Sequence, residues 1–197
     1  MDTPVLDQPA AGLDGSDGPR RRWPVVVAAV ALLGAVGMVV VLGSAAGTDG
    51  PGSASALIGR PVPPVVGETM DGETFDLADH AGEFVVVNFF ATWCVPCLVE
   101  HPELIRFSER HAETGDASVV SVVFQDDPEA VARFFETNGG DWPVLSSSTG
   151  RTALEFGVTG VPESYVVAPD GTVVARFISG VRADELEAAM AAWEPAS

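Results

Sequence analysis

Apolar positions fall into runs of two lengths along this chain. Residues 24 to 42, Pro-Val-Val-Val-Ala-Ala-Val-Ala-Leu-Leu-Gly-Ala-Val-Gly-Met-Val-Val-Val-Leu, hold no charged side chain, and small residues extend the stretch to about Gly47. A helix rising ~1.5 Å per residue over that length crosses a ~30 Å hydrocarbon layer. The later runs are shorter. Phe84-Val-Val-Val-Asn-Phe-Phe and Ala117-Ser-Val-Val-Ser-Val-Val-Phe are nearly continuous, as strands buried on both faces require. Residues 95–112 carry a helical pattern. Asp126-Asp127-Pro128-Glu129 reads as a helix start with acids in its first turn, leading through to Asn138-Gly139. Asp71-Gly72 predicts a hairpin before Glu-Thr-Phe-Asp-Leu, and Asp170-Gly171 predicts another between Ser164–Ala168 and Thr172–Ile178. A last helix, Ala183–Trp193, places Leu186, Met190 and Trp193 on one face. Strands alternating with helices and closing on a hairpin and a helix predict an α/β domain with a mixed sheet.

Charge orients these segments. Arg20-Arg21-Arg22 precedes the long apolar run and no basic cluster follows it. By the positive-inside rule the chain is expected to have a short acidic cytoplasmic tail (1–23), a transmembrane signal-anchor (24–46), a flexible linker (47–58) and an extracytoplasmic domain (59–197) on a single-pass cell-membrane protein. Cleavage after Ser44-Ala45-Ala46 is the alternative, but the apolar core exceeds the roughly 7–15 residues of an ordinary signal peptide. A lipoprotein anchor is excluded because no cysteine lies near the exit of this segment. The net charge of −18 sits mostly on the expected exported part, since residues 1–47 carry four acids and three arginines. Such a surface argues against nucleic acid as a partner.

The only two cysteines stand as Trp93-Cys94-Val95-Pro96-Cys97, where the first strand hands over to the first long helix. Free N–H groups and the macrodipole at a helix N-terminus stabilise a thiolate, the reactive form of the side chain. As a structural staple the pair is poorly placed, because so short a loop removes little unfolded-state entropy. A zinc site wants four ligands, and His80, His101 and His111 are not at ligand spacing. Covalent haem attachment needs His after the second cysteine, where Leu98 stands. Dithiol–disulfide exchange remains, with Cys94 attacking and Cys97 resolving, and no cofactor beyond the redox-active Cys94–Cys97 disulfide and no metal.

Two stretches, Asn88-Phe-Phe-Ala-Thr-Trp-Cys-Val-Pro-Cys-Leu-Val-Glu-His-Pro and Gly157-Val-Thr-Gly-Val-Pro-Glu-Ser-Tyr, resemble the thioredoxin fold. Within that fold they resemble the membrane-tethered TlpA/ResA/DsbE (CcmG) group of cytochrome c maturation. The resemblance covers residues 59–197 and implies a mixed central sheet flanked by helices, with an extra N-terminal hairpin. Thioredoxin itself carries a buried aspartate where this chain has Asn88, a departure that fits the specialised exported group.

The resemblance also implies site roles. Cys94 is expected as the exposed nucleophile and Cys97 as the resolving thiol. Trp93, Val161, Pro162 and Glu163 are expected to meet substrate, Pro162 through a cis bond that sets Val161-Pro162 beside the sulfurs. Pro96 restricts the backbone inside the pair, and Pro102 should kink the helix as architecture. Glu100 lies one helical turn beyond Cys97, where the group carries a glutamate lining the substrate cleft. In a partly apolar cleft its pKa should rise and let it exchange protons with the thiols; the alternative is an ordinary solvated helix acid. For Glu163 the choice is between selecting a partner and a surface acid.

The leading expectation is a reductant for the CxxCH disulfide of apocytochrome c, re-reduced by a membrane electron donor of the CcdA/DsbD type. A broader exported oxidoreductase acting on other thiol proteins is the second reading. Copper delivery is the third, although carriers of related fold space their cysteines wider and add a histidine. A peroxidase is disfavoured because Phe90-Ala-Thr-Trp-Cys lacks the Pro-x-x-x-Thr-x-x-Cys context. Direction depends on reduction potential, which the sequence leaves open.

Overall fold

A computed structural model of the chain describes residues 54–146 and 149–194. The expected tail and anchor, residues 1–23 and 24–46, lie outside the described residues. Among the described residues no helix is long and apolar enough to cross a membrane. The domain begins earlier than expected. Ala54–Leu57 form a 3-10 turn inside the segment read as linker, Leu57 packs against the core, and Gly59 N–H bonds Val173 O at 2.8 Å. A Gly/Ser-rich composition hides this, because one apolar side chain, Leu57, is enough to dock the turn.

Strands β1 (Val66–Glu68) and β2 (Thr74–Asp76) form the expected antiparallel hairpin around Asp71-Gly72. A five-stranded mixed sheet follows, in the order β5-β4-β3-β6-β7. Its centre is β3 (Phe84–Phe90), parallel to β4 (Ala117–Val123) and antiparallel to β6 (Glu163–Val167). β7 (Val173–Ile178) closes one edge through the Asp170-Gly171 turn, and the two-residue β5 (Val144–Leu145) closes the other.

Both sheet faces are covered, which is why β3 and β4 read as continuous apolar runs. On one face Val86, Val119 and Val166 pack against Leu104 and Phe107 of α1 (Val95–His111) and Leu186 of α4 (Ala183–Ala191). On the other, Val85, Val87, Phe89 and Tyr165 pack with Phe75 from the hairpin and with Phe156 of α3 (Thr149–Phe156). Each such side chain contributes about 1.5–3 kcal/mol on full burial. Helix α2 (Pro128–Asn138) starts as expected, with Asp127 capping Ala130 N–H at 3.0 Å, and brings Val131, Phe134 and Phe135 to the cluster around the two cysteines. The C-terminal helix starts as expected but ends at Ala191, short of Trp193; Leu186 is fully buried, Met190 partly so, and Trp193 is edge-on to Phe84 at 5.4 Å.

Helix α3 and strand β5 were not expected from the pattern. The first is eight residues long with Gly150 in its first turn, and the second is two residues after a proline. Neither is long enough to show a period. Tertiary contacts make them, through Phe156 and Leu145 in the core below β3 and β4.

Candidate active site

Strand β3 delivers Phe90 and Ala91 into the core, and the chain then turns into α1. The turn is held by Cys94 N–H on Ala91 O at 3.2 Å, by Thr92 N–H on the Asp126 carboxylate, and by the Trp93 indole N–H on Gln125 O at 3.2 Å. Gln125 supplies that carbonyl from a left-handed conformation, φ 47°. Cys94 is the N-cap of α1: its Sγ accepts the Cys97 N–H at 3.2 Å, and the two cysteines are joined as a disulfide. Once the pair is reduced, the same N–H and the helix dipole favour a Cys94 thiolate, and no acid in the first turn opposes it. Pro96 is at the second helical position, where a missing N–H costs no helical bond. Pro102 lies inside α1 as expected.

The expectation of an exposed Cys94 is corrected for this oxidised state. Cys94 is 4% exposed and Cys97 3%, because each sulfur faces the other and the pair packs with Phe90, Val131 and Val144. What is exposed is the apolar collar around them: Trp93, Val95, Leu98 and Val99, with Val99 at 72%.

Glu100 is not a solvated helix acid. The buried stripe of α1 is Cys97, Glu100, His101, Leu104, Phe107 and His111, so Glu100 occupies a core-facing phase. It is 4% exposed, and its two oxygens are held separately: Asn88 Nδ2 donates to Oε1 at 2.8 Å, and Val181 N–H donates to Oε2 at 3.2 Å. Burial pushes its pKa up to about 7, while the Asn88 and Val181 donors pull the other way. The carboxyl one turn behind Cys97 is thus poised between acid and base near neutrality.

The Val161-Pro162 bond is cis. Val161 packs against the cluster that contains both cysteines, so the two sequence stretches, some 65 residues apart, meet at that cluster. Glu163 lies inside the fold. It is 2% exposed, so it is no surface acid, and its side chain meets Arg176 Nε at 2.8 Å and the Tyr165 hydroxyl rather than open space beside the sulfurs. The period of a strand is the reason: Ser164 and Val166 face α1, and Glu163 and Tyr165 face the α3 side. Burial, then Glu163, holds the Tyr165 hydroxyl well above the usual tyrosine range.

Sequence reasoning missed several neighbours of the site. Val181 carries no motif, and Ser164 lies in the second resembling stretch without a role assigned to it; their bonds to the Asn88–Glu100 pair depend on β6 and the segment before α4 arriving beside α1. His101 could have been found from its spacing, four residues after Cys97. Its Nε2–H donates to Gly139 O at 2.9 Å within a cage of Phe134, Phe135 and Trp142, and burial lowers its pKa against the opposing pull of that bond.

Comparison with known proteins agrees with this geometry. A profile of the Redoxin family matches residues 57–191. The chain is 35% identical over 151 residues to the thiol:disulfide interchange protein DsbE homolog of Paracoccus denitrificans, covering 70% of this chain and 80% of that protein. It is 28% identical over 162 residues to the thiol-disulfide oxidoreductase ResA of Bacillus thuringiensis, covering 82% and 90%. Among solved structures, a thiol:disulfide interchange protein of the thioredoxin family from Chlorobium tepidum superimposes with a TM-score of 0.61 at 28% identity, over 66% of this chain and 93% of that one.

Proposed function

Since the chain belongs to the Redoxin family and, within it, to the TlpA/ResA/DsbE (CcmG) group of thiol-disulfide oxidoreductases, we propose that it works outside the cytoplasm as a reductant. Its substrate in this reading is the CxxCH disulfide of apocytochrome c during cytochrome c maturation. The observation that carries the exchange chemistry is Glu100, a buried carboxyl one turn behind Cys97 with a pKa of about 7, while the reductant direction follows from the group the chain belongs to.

In the reaction the Cys94 thiolate attacks one sulfur of the substrate disulfide, forming a mixed disulfide and releasing the first substrate thiolate. Cys97 then loses its proton to the Glu100 carboxylate and attacks Cys94 Sγ. The second substrate thiolate leaves, the Cys94–Cys97 disulfide closes, and two electrons have passed to the substrate. An acid of pKa near 7 suits this step, because it is partly ionised at the working pH and releases the proton again afterwards. The exposed collar of Trp93, Val95, Leu98 and Val99 offers the docking surface, and backbone groups beside Pro162 pair with the substrate chain as an added strand. A membrane donor of the CcdA/DsbD type then re-reduces the pair. The collar carries no charge, which also favours the second reading, an exported oxidoreductase accepting any extended apolar thiol segment.

The test is the reduction potential of the pair, with the rate of reduction of a CxxCH peptide disulfide set against that of an unrelated peptide disulfide. The reductant reading expects a potential on the order of −200 mV or lower and preference for the CxxCH peptide. A value near about −120 mV, that of a strong oxidant, would overturn it. Equal rates on both peptides would leave the broader reading standing instead.

A further inference from the structure

A row of buried polar side chains crosses the sheet beneath α1. Register sets Ser121 of β4, Asn88 of β3 and Ser164 of β6 side by side, and each is at most 2% exposed. Among valines and phenylalanines such groups persist only if paired, and no described buried side-chain nitrogen or oxygen lacks a partner.

The bonds run in one direction. Trp142, between α2 and β5, donates its indole N–H to Ser121 Oγ at 2.8 Å. An indole N–H can only donate, so Ser121 accepts there; accepting a second time, from the Asn88 NH2, would leave its own hydrogen without an acceptor, so that hydrogen goes to Asn88 Oδ1 at 3.5 Å. With its carbonyl end so committed, Asn88 gives the two hydrogens of its NH2 to Glu100 Oε1 at 2.8 Å and to Ser164 Oγ at 3.0 Å.

We infer that Trp142 is a positioning residue for Glu100: its N–H, acting through Ser121, holds the Asn88 amide with the NH2 end toward the carboxyl. Turned over, the amide would offer Glu100 a carbonyl, which accepts from the protonated acid and repels the carboxylate. Held as it is, it donates to the carboxylate and opposes the effect of burial. Without the indole N–H, Ser121 is free to accept from Asn88, and the amide loses its preference. The segment around Trp142, packed on Phe135 and His101, thereby sets the proton affinity of an acid on a different element.

No described cation competes for this control. On α1, the Glu103 carboxylate takes Ala183 N–H and Arg106, and His101 turns to Gly139 O. From the α4 side only the Val181 N–H reaches Glu100, while Arg182 is exposed and paired with Glu185. β3 and β6 contribute the uncharged Asn88 and Ser164.

The geometry stands by itself, but its consequence for turnover rests on the proposed role of Glu100, so the test reads the two separately. In the full-length oxidised chain, where no thiol titrates, the Glu100 carboxyl is followed by carbon NMR against pH, assigned by its absence in Glu100→Gln. Trp142→Phe, which keeps an aromatic ring, and Ser121→Ala should each raise the midpoint by about half to one pH unit, the size of one neutral hydrogen bond. The double variant should shift no further than either single one, since both cut the same relay. Phe135→Leu, which loosens the same aromatic cluster without touching the relay, should leave the midpoint in place. An unmoved midpoint in both Trp142→Phe and Ser121→Ala, or an equal shift in Phe135→Leu, overturns the inference. If the midpoint moves while the pH profile of Cys97 alkylation in the reduced protein does not, the positioning of Glu100 stands and its proton exchange with Cys97 falls.

Discussion

Glu100 holds a carboxyl at a helix phase that otherwise belongs to Leu104 and Phe107, and its energetics follow from that position. The carboxyl titrates at 4.5 in an unfolded chain and at about 7 in the fold. Between those values the native state keeps a proton that the unfolded state has lost. The stability that this group contributes is therefore fully present below about 4.5 and is lost as pH rises through about 7, by up to about 3 kcal/mol. Urea titrations of the oxidised protein at about pH 5 and about pH 8 should show this loss, and Glu100→Gln should abolish its pH dependence; the same decline in both proteins would show that another group causes it. The nucleophile and this acid were legible as residues, because spacing along a helix is local information. Glu163 was not: following a proline in sequence said nothing about the side of the sheet it would enter, and it entered the side away from Glu100.

The elements around the site depend on turns that sequence patterns mark unevenly. Strands β3 and β4 and helices α1 and α2 were legible because each is long enough to show its period or its cap. The turn joining α2 to β5 is different. Gly139 and Gly140 both take positive φ, 76° and 108°, and a Cβ on Gly140 would lie 3.0 Å from Phe135 and Trp142 and 3.1 Å from His101. Gly140→Ala combines left-handed strain with overpacking of three rings and should cost about 2–4 kcal/mol. Chemical denaturation checks this; a loss under about 0.5 kcal/mol would mean that the rings yield easily. Because His101 and Trp142 share that contact, the variant should also disturb the tie between α1 and the α2–β5 segment.

At the scale of the whole molecule, the proposal that the domain works outside the cytoplasm rests on Arg20-Arg21-Arg22 and the apolar run after it. Protease added to intact cells should then release a soluble fragment beginning within residues 48–53, and a chain that is cut only after lysis would reverse the orientation. The Gly-, Ser- and Pro-containing composition there invites cleavage, whereas from Gly59 onward the backbone is bonded into the domain. The sequence by itself determined the redox pair, its position at a strand-to-helix junction, the main strands and helices, and the acid one turn beyond, because these are all statements about periodicity and spacing. Tertiary structure alone decided which acid is buried, that Asn88 presents its NH2 to Glu100, and that Trp142 reaches it through Ser121. These depend on residues far apart in the chain lining up across β4, β3 and β6, and hydrogen-bond direction in a buried row is settled only when every donor has found its acceptor.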